Sequence, residues 1–405
     1  MADEYTKAIA LADIDMDKGA MNRFETGLSQ LDHPLGGGLV SGSVVLMGGD
    51  PGVGKSTLAL TACAAFASGN RKVLYVTGEE SLQQIRMRAD RVGVDRDSLM
   101  LLASTDWDHI ESETRSSGAY VLVIDSAQTV RVPGIQSIPG SVEQVREVAH
   151  RARQLATATH VAVVLIGHSS RSTELAGPLV LEHFVDTVLD FEHDGRTSLR
   201  TLRTVKNRFG ESGELGLFEM TARGLIEILD PSKRLLVARN ARANGTAVVA
   251  TVEGTRPVLV EVQALVGRPS AEAPPRHFIG VDPVRTTMLA AILENSGLQV
   301  YNRGLYVNTG AGYRLIEPGA DLGVTAAFAS SLLKQPVRED TCVFGEVGLV
   351  GQIRPVRHPD RRFIEAKAQG FTRVICPQEN VQDGVPEGID AVGVATVRDV
   401  LAEIF

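Results

Sequence analysis

The eight residues Gly49-Asp50-Pro51-Gly52-Val53-Gly54-Lys55-Ser56 constrain this chain more tightly than any other feature of its sequence. They fit the pattern G-x-x-x-x-G-K-[ST]. The β-type run 44–47 precedes them and the helix-forming run 58–66 follows. Strand, glycine loop and helix in that order let successive backbone N–H groups face phosphate oxygens, and the helix N-terminus adds partial positive charge. Lys55 is placed to reach the β- and γ-phosphates, and Ser56 to offer its hydroxyl to Mg²⁺. The segment from Gly49 through Thr57 is therefore expected to bind ATP. A Gly-rich turn before an ordinary core helix would not require both flanks to be right.

The rest of the first half repeats this grammar. Between Phe24 and about Glu227, β-type runs at 44–47, 73–76, 121–124, 161–166 and 188–191 alternate with helical ones, the pattern of an α/β parallel sheet with crossover helices. Two further β-type stretches, 198–205 and 217–220, bracket Lys206-Asn207-Arg208-Phe209-Gly210 like a hairpin with an irregular tip. A length of 405 residues exceeds one typical core. The expected division is a polar arm at 1–22, a P-loop ATPase domain at 23–227, a linker at 228–245 and an α+β domain at 246–405. In that last domain the pattern predicts strands at 247–252 and 258–266, helices at 284–296 and 320–333, β-type runs at 341–347 and 374–376, and a final helix at 397–405.

Composition narrows the class. Apolar content of 43% with 22% charged residues is that of a soluble globular protein. No apolar run approaches the roughly 20 residues that span a bilayer, and the acidic start lacks the features of a secretory signal. The expected compartment is the cytoplasm. Cys63, Cys342 and Cys376 are too scattered for a disulfide framework or a zinc site and read as buried free thiols. A net charge of −8 gives nucleic-acid binding no global electrostatic support, so any such binding needs local basic surface.

Val121-Leu122-Val123-Ile124-Asp125, about 70 residues after the P-loop, has the form of a Walker B strand whose Asp holds Mg²⁺ through water. Tyr75-Val76-Thr77-Gly78-Glu79-Glu80-Ser81 ends another β-type run with two carboxylates. Either can orient and deprotonate the attacking water, or merely favour a helix N-terminus. Both Glu79 and Glu80 stay candidates, with Glu80 preferred. The run ending at Gly167 and His168 puts a polar side chain where γ-phosphate sensors sit. Arg131, Arg146, Arg151, Arg153 and Arg171 lie in or near segments that could face a ring's channel and meet DNA phosphates, although each alone reads as a solvated surface arginine. The Lys206–Gly210 cluster offers two cations at a tight turn, able to reach a neighbouring subunit's γ-phosphate or simply to decorate a hairpin.

These residues together resemble the bacterial RadA (Sms) DNA-repair ATPase family, a group of RecA-like ring proteins. The resemblance is carried by Leu35-Gly36-Gly37-Gly38-Leu39-Val40, Gly48 through Thr57, Thr77-Gly78-Glu79-Glu80-Ser81 and Ile124-Asp125-Ser126. It continues in Ala176-Gly177-Pro178, Leu181-Glu182-His183 and the signature pentapeptide Lys206–Gly210. Further on come Glu253-Gly254-Thr255-Arg256-Pro257 and Phe344-Gly345-Glu346-Val347-Gly348-Leu349. It implies a homo-hexameric DNA-dependent ATPase that moves on single-stranded and branched DNA and promotes branch migration of joints made with RecA. It also implies that Lys206 and Arg208 act across subunit contacts.

The second half is similar to the proteolytic domain of Lon proteases, which need a Ser nucleophile in G-P-S-A-G and a Lys base further along. Gly319-Ala320-Asp321-Leu322-Gly323 puts Asp321 at the nucleophile position, and alignment through Pro336, Gly345, Gly351 and Pro355 puts Arg362 at the lysine. Neither can perform that chemistry, so an inactive scaffold joined by an Asp321–Arg362 ion pair is expected. Arg354, Arg357, Arg361 and Arg362 are candidate DNA contacts. Two departures stand out. The family's four-cysteine zinc motif is absent from residues 1–22, and the positions usually held by Lys and a basic residue after His168 are Arg171 and Leu179. A KaiC-like regulatory ATPase that switches protein partners, and an ATP-dependent protease, are the rival readings.

Overall fold

The computed structural model describes residues 22–69, 71–93, 99–167, 181–193, 198–237, 239–270, 273–382 and 384–405. Two compact units divide between Leu229 and Asp230.

In chain order, the first unit carries β1 (Arg23–Phe24), α1 (Ser29–Asp32), β2 (Leu39–Val40), β3 (Val44–Gly49), α2 (Lys55–Ser68), β4 (Val73–Thr77), α3 (Leu82–Val92) and β5 (Leu99–Ala103). Then follow α4 (Trp107–Ser117), β6 (Val121–Asp125), α5 (Val142–Thr159), β7 (Ala162–Ile166), β8 (Thr187–Glu192), β9 (Leu199–Asn207), β10 (Leu215–Thr221) and β11 (Gly224–Glu227). Nine of these strands form one sheet in the order β11-β10-β9-β8-β3-β7-β6-β4-β5. From β5 to β8 neighbours run parallel, whereas β8 to β11 pair antiparallel. This is the α/β parallel-sheet arrangement expected from the alternating pattern, and it is consistent with the RecA-like fold that the resemblance implies.

Strands buried on both faces need apolar residues throughout, and β3, β6 and β7 are wholly buried: β3 and β6 are apolar runs closed by Gly and by Asp, and β7 consists of Ala, Val, Leu and Ile alone. One face packs α2 through Leu58, Leu60, Cys63 and Phe66 against Val45, Met47, Tyr75 and Val123. The other packs Trp107 and Ile110 of α4 and Val145, Val148 and Ala152 of α5 against Leu46, Val76 and Leu122. Among the described residues no helix is long and apolar enough to cross a membrane.

The second unit opens with α6 (Pro231–Leu236), which falls inside the stretch expected as linker. Asp230 caps it, Pro231 suits its first turn, and Pro231, Ser232 and Leu235 are buried. Next come β12 (Thr246–Glu253), β13 (Arg256–Pro269), β14 (Arg276–Phe278), α7 (Pro283–Asn295), β15 (Arg303–Thr309) and α8 (Asp321–Leu333). The chain ends with β16 (Thr341–Val343), β17 (Glu346–Val347), β18 (Ile353–Arg354), α9 (Pro359–Ala368), β19 (Arg373–Pro377), β20 (Asp390–Val394) and α10 (Val397–Glu403). Seven strands make a mixed sheet, β14-β15-β13-β12-β16-β19-β20. Helix α8 lies so close to it that a Cβ on Gly323 would come within 1.8 Å of Val249 Cγ2. Cys63, Cys342 and Cys376 are buried free thiols, and burial pushes each up to about 12.

Candidate nucleotide site

The turn after β3 works because its glycines adopt conformations that other residues resist. Gly49, Gly52 and Gly54 have φ of 147°, 79° and 115°. A Cβ on Gly49 would stand 2.3 Å from the Phe191 carbonyl oxygen. Arg200 Nε donates to the Val53 carbonyl at 3.0 Å and braces the loop from β9. Lys55 opens α2 and is only 4% exposed. Its Nζ donates to the carbonyls of Gly49 at 2.8 Å and Asp50 at 3.0 Å. Burial lowers the affinity of this amine for its proton. The negative charges of Asp125, Asp50, Glu79 and Asp190 work in the opposite direction.

Strand pairing brings the other acidic residues to the same end of the sheet, since Thr77 of β4 lies opposite Asp125 of β6. The Tyr75 hydroxyl donates to Asp125 Oδ2 at 2.5 Å, and the Ser126 hydroxyl donates to Glu79 Oε1 at 2.6 Å. Tyr75 is fully buried. Burial, then the Asp125 charge, raises its phenol well above the usual range.

The two glutamates that the sequence left open have different surroundings. Glu80 accepts an ion-paired hydrogen bond from Arg88 at 2.5 Å, and its backbone is tied to the Thr77 hydroxyl. Glu79 is exposed and is linked to Ser126, the residue after Asp125. A capping box between Ser81 and Gln84 starts α3 directly after them. The two carboxylates thus differ: Glu80 is charge-paired with Arg88, whereas Glu79 accepts from the hydroxyl beside Asp125. Asp190, on β8 beside the loop, is pushed up to about 6, first by burial and then by Glu192.

The signature cluster lies elsewhere. Asn207 pairs with Thr187, which lies level with Val45, whereas the P-loop begins at Gly49, level with Phe191. Four strand residues, or about 13 Å, separate those levels. Lys206 and Arg208 therefore stand toward the opposite end of the sheet from their own P-loop. There Lys206 Nζ donates to the carbonyls of Glu182 at 2.5 Å and Val185 at 3.0 Å, and Arg208 pairs with Asp186 at 3.1 Å. Burial and the nearby Arg208 both lower the Lys206 amine's proton affinity. Asn207 Oδ1 accepts from Thr187 Oγ1 and from the Phe209 amide, and the Phe209 carbonyl accepts from Arg23. Arg131 and Arg146 are exposed. His168 and Arg171 lie outside the described residues.

In the second unit the expected Asp321–Arg362 pair is replaced by two separate pairs. Asp321 is bound by Arg285 and accepts from the Val347 amide at 3.1 Å. Arg362 is fully buried. It grips the Glu317 carboxylate, donates to the carbonyls of Ala250 at 2.5 Å and Arg357 at 3.1 Å, and lies over the Phe344 ring. Arg285 of α7 supplies the partner of Asp321, and Glu317 in the turn before α8 supplies that of Arg362. Sequence reading missed Tyr75, Ser126, Arg88, Arg285 and Glu317. Of these only Tyr75 and Ser126 carried a hint, because they lie inside motif segments already singled out. Arg354 and Arg357 are exposed, the former 3.4 Å from Glu346.

Two family models match parts of the chain. The AAA domain family model matches residues 16–174, and that of the Lon protease (S16) C-terminal proteolytic domain matches residues 294–405. Three similar proteins each bear the name DNA repair protein RadA. That of Halalkalibacterium halodurans is 45% identical over 94% of this chain and 83% of its own length. That of Pseudomonas aeruginosa is 44% identical over 98% and 87%. That of Streptococcus pneumoniae is 42% identical over 99% and 96%.

Proposed function

The chain belongs to the DNA repair protein RadA family, and from that premise we propose that it is a Mg²⁺-dependent ATPase that works as a motor on single-stranded and branched DNA. In this reading a ring of six copies extends heteroduplex in joints made with RecA. Ser56 and Asp125 supply hard oxygen donors, the chemistry that suits Mg²⁺, and the metal, when bound, offsets charge on the phosphates. Lys55 binds the β- and γ-phosphates, Glu79 holds the attacking water and takes its proton, and His168 senses the γ-phosphate.

The observation that carries the assembly is the separation of Lys206 and Arg208 from their own P-loop along the sheet. A cation at one end of a subunit can complete a phosphate site at the other end only through a head-to-tail neighbour. Such a head-to-tail interface closes into a ring when the rotation between neighbours closes, which is the arrangement proposed here. Arg131, Arg146 and Arg171 are assigned to the channel, and Arg354 and Arg357 to duplex DNA. The Lon-like domain is read as proteolytically silent, because Asp321 and Arg362 are each held in their own ion pair.

The test measures ATP hydrolysis by the full chain with and without single-stranded DNA, and strand extension on a forked substrate. Stimulation by DNA with strand extension supports the motor. Hydrolysis indifferent to DNA, by a protein that stays monomeric, overturns it in favour of a regulatory ATPase. Degradation of casein overturns the silent scaffold.

A further inference from the structure

We infer that Tyr75 is a positioning residue for metal-dependent nucleotide binding, acting through Asp125; the inference rests on the nucleotide reading above. The argument begins with register. Side chains two apart on a strand share a face, so Val121, Val123 and Asp125 of β6 point the same way, as do Val73, Tyr75 and Thr77 of β4. That face is the one covered by α2, since Val73, Tyr75, Val121 and Val123 share a core with Leu58 and Cys63. Tyr75 pairs with Val123. Its ring therefore lies diagonally beside Asp125, beneath the helix that Lys55 and Ser56 begin.

A buried phenol needs a hydrogen-bond acceptor, and satisfying that need could be its whole purpose. The identity of the acceptor argues for more. The hydroxyl donates to Oδ2 of Asp125 at 2.5 Å. One carboxylate oxygen is thereby held, and rotation of the group is restricted. Lys55, whose charge interacts with Asp125, is the competing attraction. Without the phenol, Asp125 is free to turn toward that ammonium and away from the place where a metal's water must be held. The partners that orient metal-binding carboxylates govern metal affinity on the order of 10- to 100-fold.

Tyr75→Phe removes the hydroxyl and keeps the ring. Binding of a fluorescent ADP analogue is titrated in EDTA and then against Mg²⁺, with wild type and Asp125→Asn in parallel. The variant is expected to bind as wild type without metal, and to need roughly 10-fold more Mg²⁺ for the metal-dependent tightening. In the Asp125→Asn background, Tyr75→Phe is expected to add nothing, since the two residues act through one contact. Thermal unfolding without nucleotide checks that the variant is folded. A folded Tyr75→Phe protein with the wild-type Mg²⁺ dependence overturns the inference, as does an effect that adds fully to that of Asp125→Asn. If wild type binds the analogue but ignores Mg²⁺, the metal role fails together with this inference. If wild type binds no nucleotide, the proposed function itself fails.

Discussion

Replacing each of the two adjacent glutamates by glutamine is the sharpest test of the site. Glu79 is exposed and accepts a 2.6 Å hydrogen bond from Ser126 beside Asp125. Loss of a positioned general base typically costs about 10²- to 10⁴-fold in rate, or roughly 3–5 kcal/mol in barrier height. Glu79→Gln keeps an oxygen for the Ser126 hydroxyl, so nucleotide binding should survive while turnover falls by that factor. Glu80 instead pairs with Arg88, with side chains 30% and 23% exposed. A pair so accessible to water contributes about 1 kcal/mol or less. Glu80→Gln should therefore loosen the start of α3 and alter turnover by less than about 5-fold. Steady-state phosphate release, combined with equilibrium ATP binding, separates the two. An inactive Glu80→Gln protein alongside an active Glu79→Gln protein would refute the assignment.

Three further outcomes are expected. Mixing Lys55→Ala subunits with Lys206→Ala subunits, each inactive alone, should restore part of the ATPase activity if the cluster acts on a neighbour; no recovery in assembled mixtures counts against it. Arg362→Met should destabilise the second unit by about 3 kcal/mol, the low end for breaking a buried pair, because Glu317 retains its bonds from Thr251 and the Val252 amide. Denaturant unfolding reads this, and a loss under about 1 kcal/mol contradicts it. Asp190 is raised from 3.8 to about 6, so the folded chain keeps a proton that the unfolded chain releases. The stability it contributes is present at low pH and is lost as pH rises from about 4 to about 6. Asp190→Asn should flatten that slope and raise the melting temperature at neutral pH; an unchanged pH profile would show that Asp190 does not set it.

The fold was legible where strands are buried on both faces. Runs such as residues 121–124 and Ala162–Ile166 admit only apolar residues and so announce themselves. The edge strand Leu99–Ala103 did not, because a short apolar run can equally belong to a helix. Arg303–Thr309 was missed in the second half, where Arg, Asn and Gly dilute the β signal. Helix Pro231–Leu236 was hidden by the proline that begins it, which reads first as punctuation.

What the sequence by itself determined is whatever a contiguous segment can do alone. The phosphate loop is one such case: its glycines, lysine and serine act through the backbone of a single strand–turn–helix. The residues Asp321 and Arg362, at the positions the resemblance aligns with a Lon-type serine and lysine, are another, since each is read at a single position. Tertiary structure alone decided which charges meet. The pairing of β4 with β6 sets Tyr75 beside Asp125, while Arg88 pairs with Glu80 and the Ser126 hydroxyl donates to Glu79. Asp321 and Arg362 were likewise separated into pairs with Arg285 and Glu317. Hydrogen bonds and ion pairs act over a few ångströms, and only strand register and helix packing bring residues so distant in sequence within that reach.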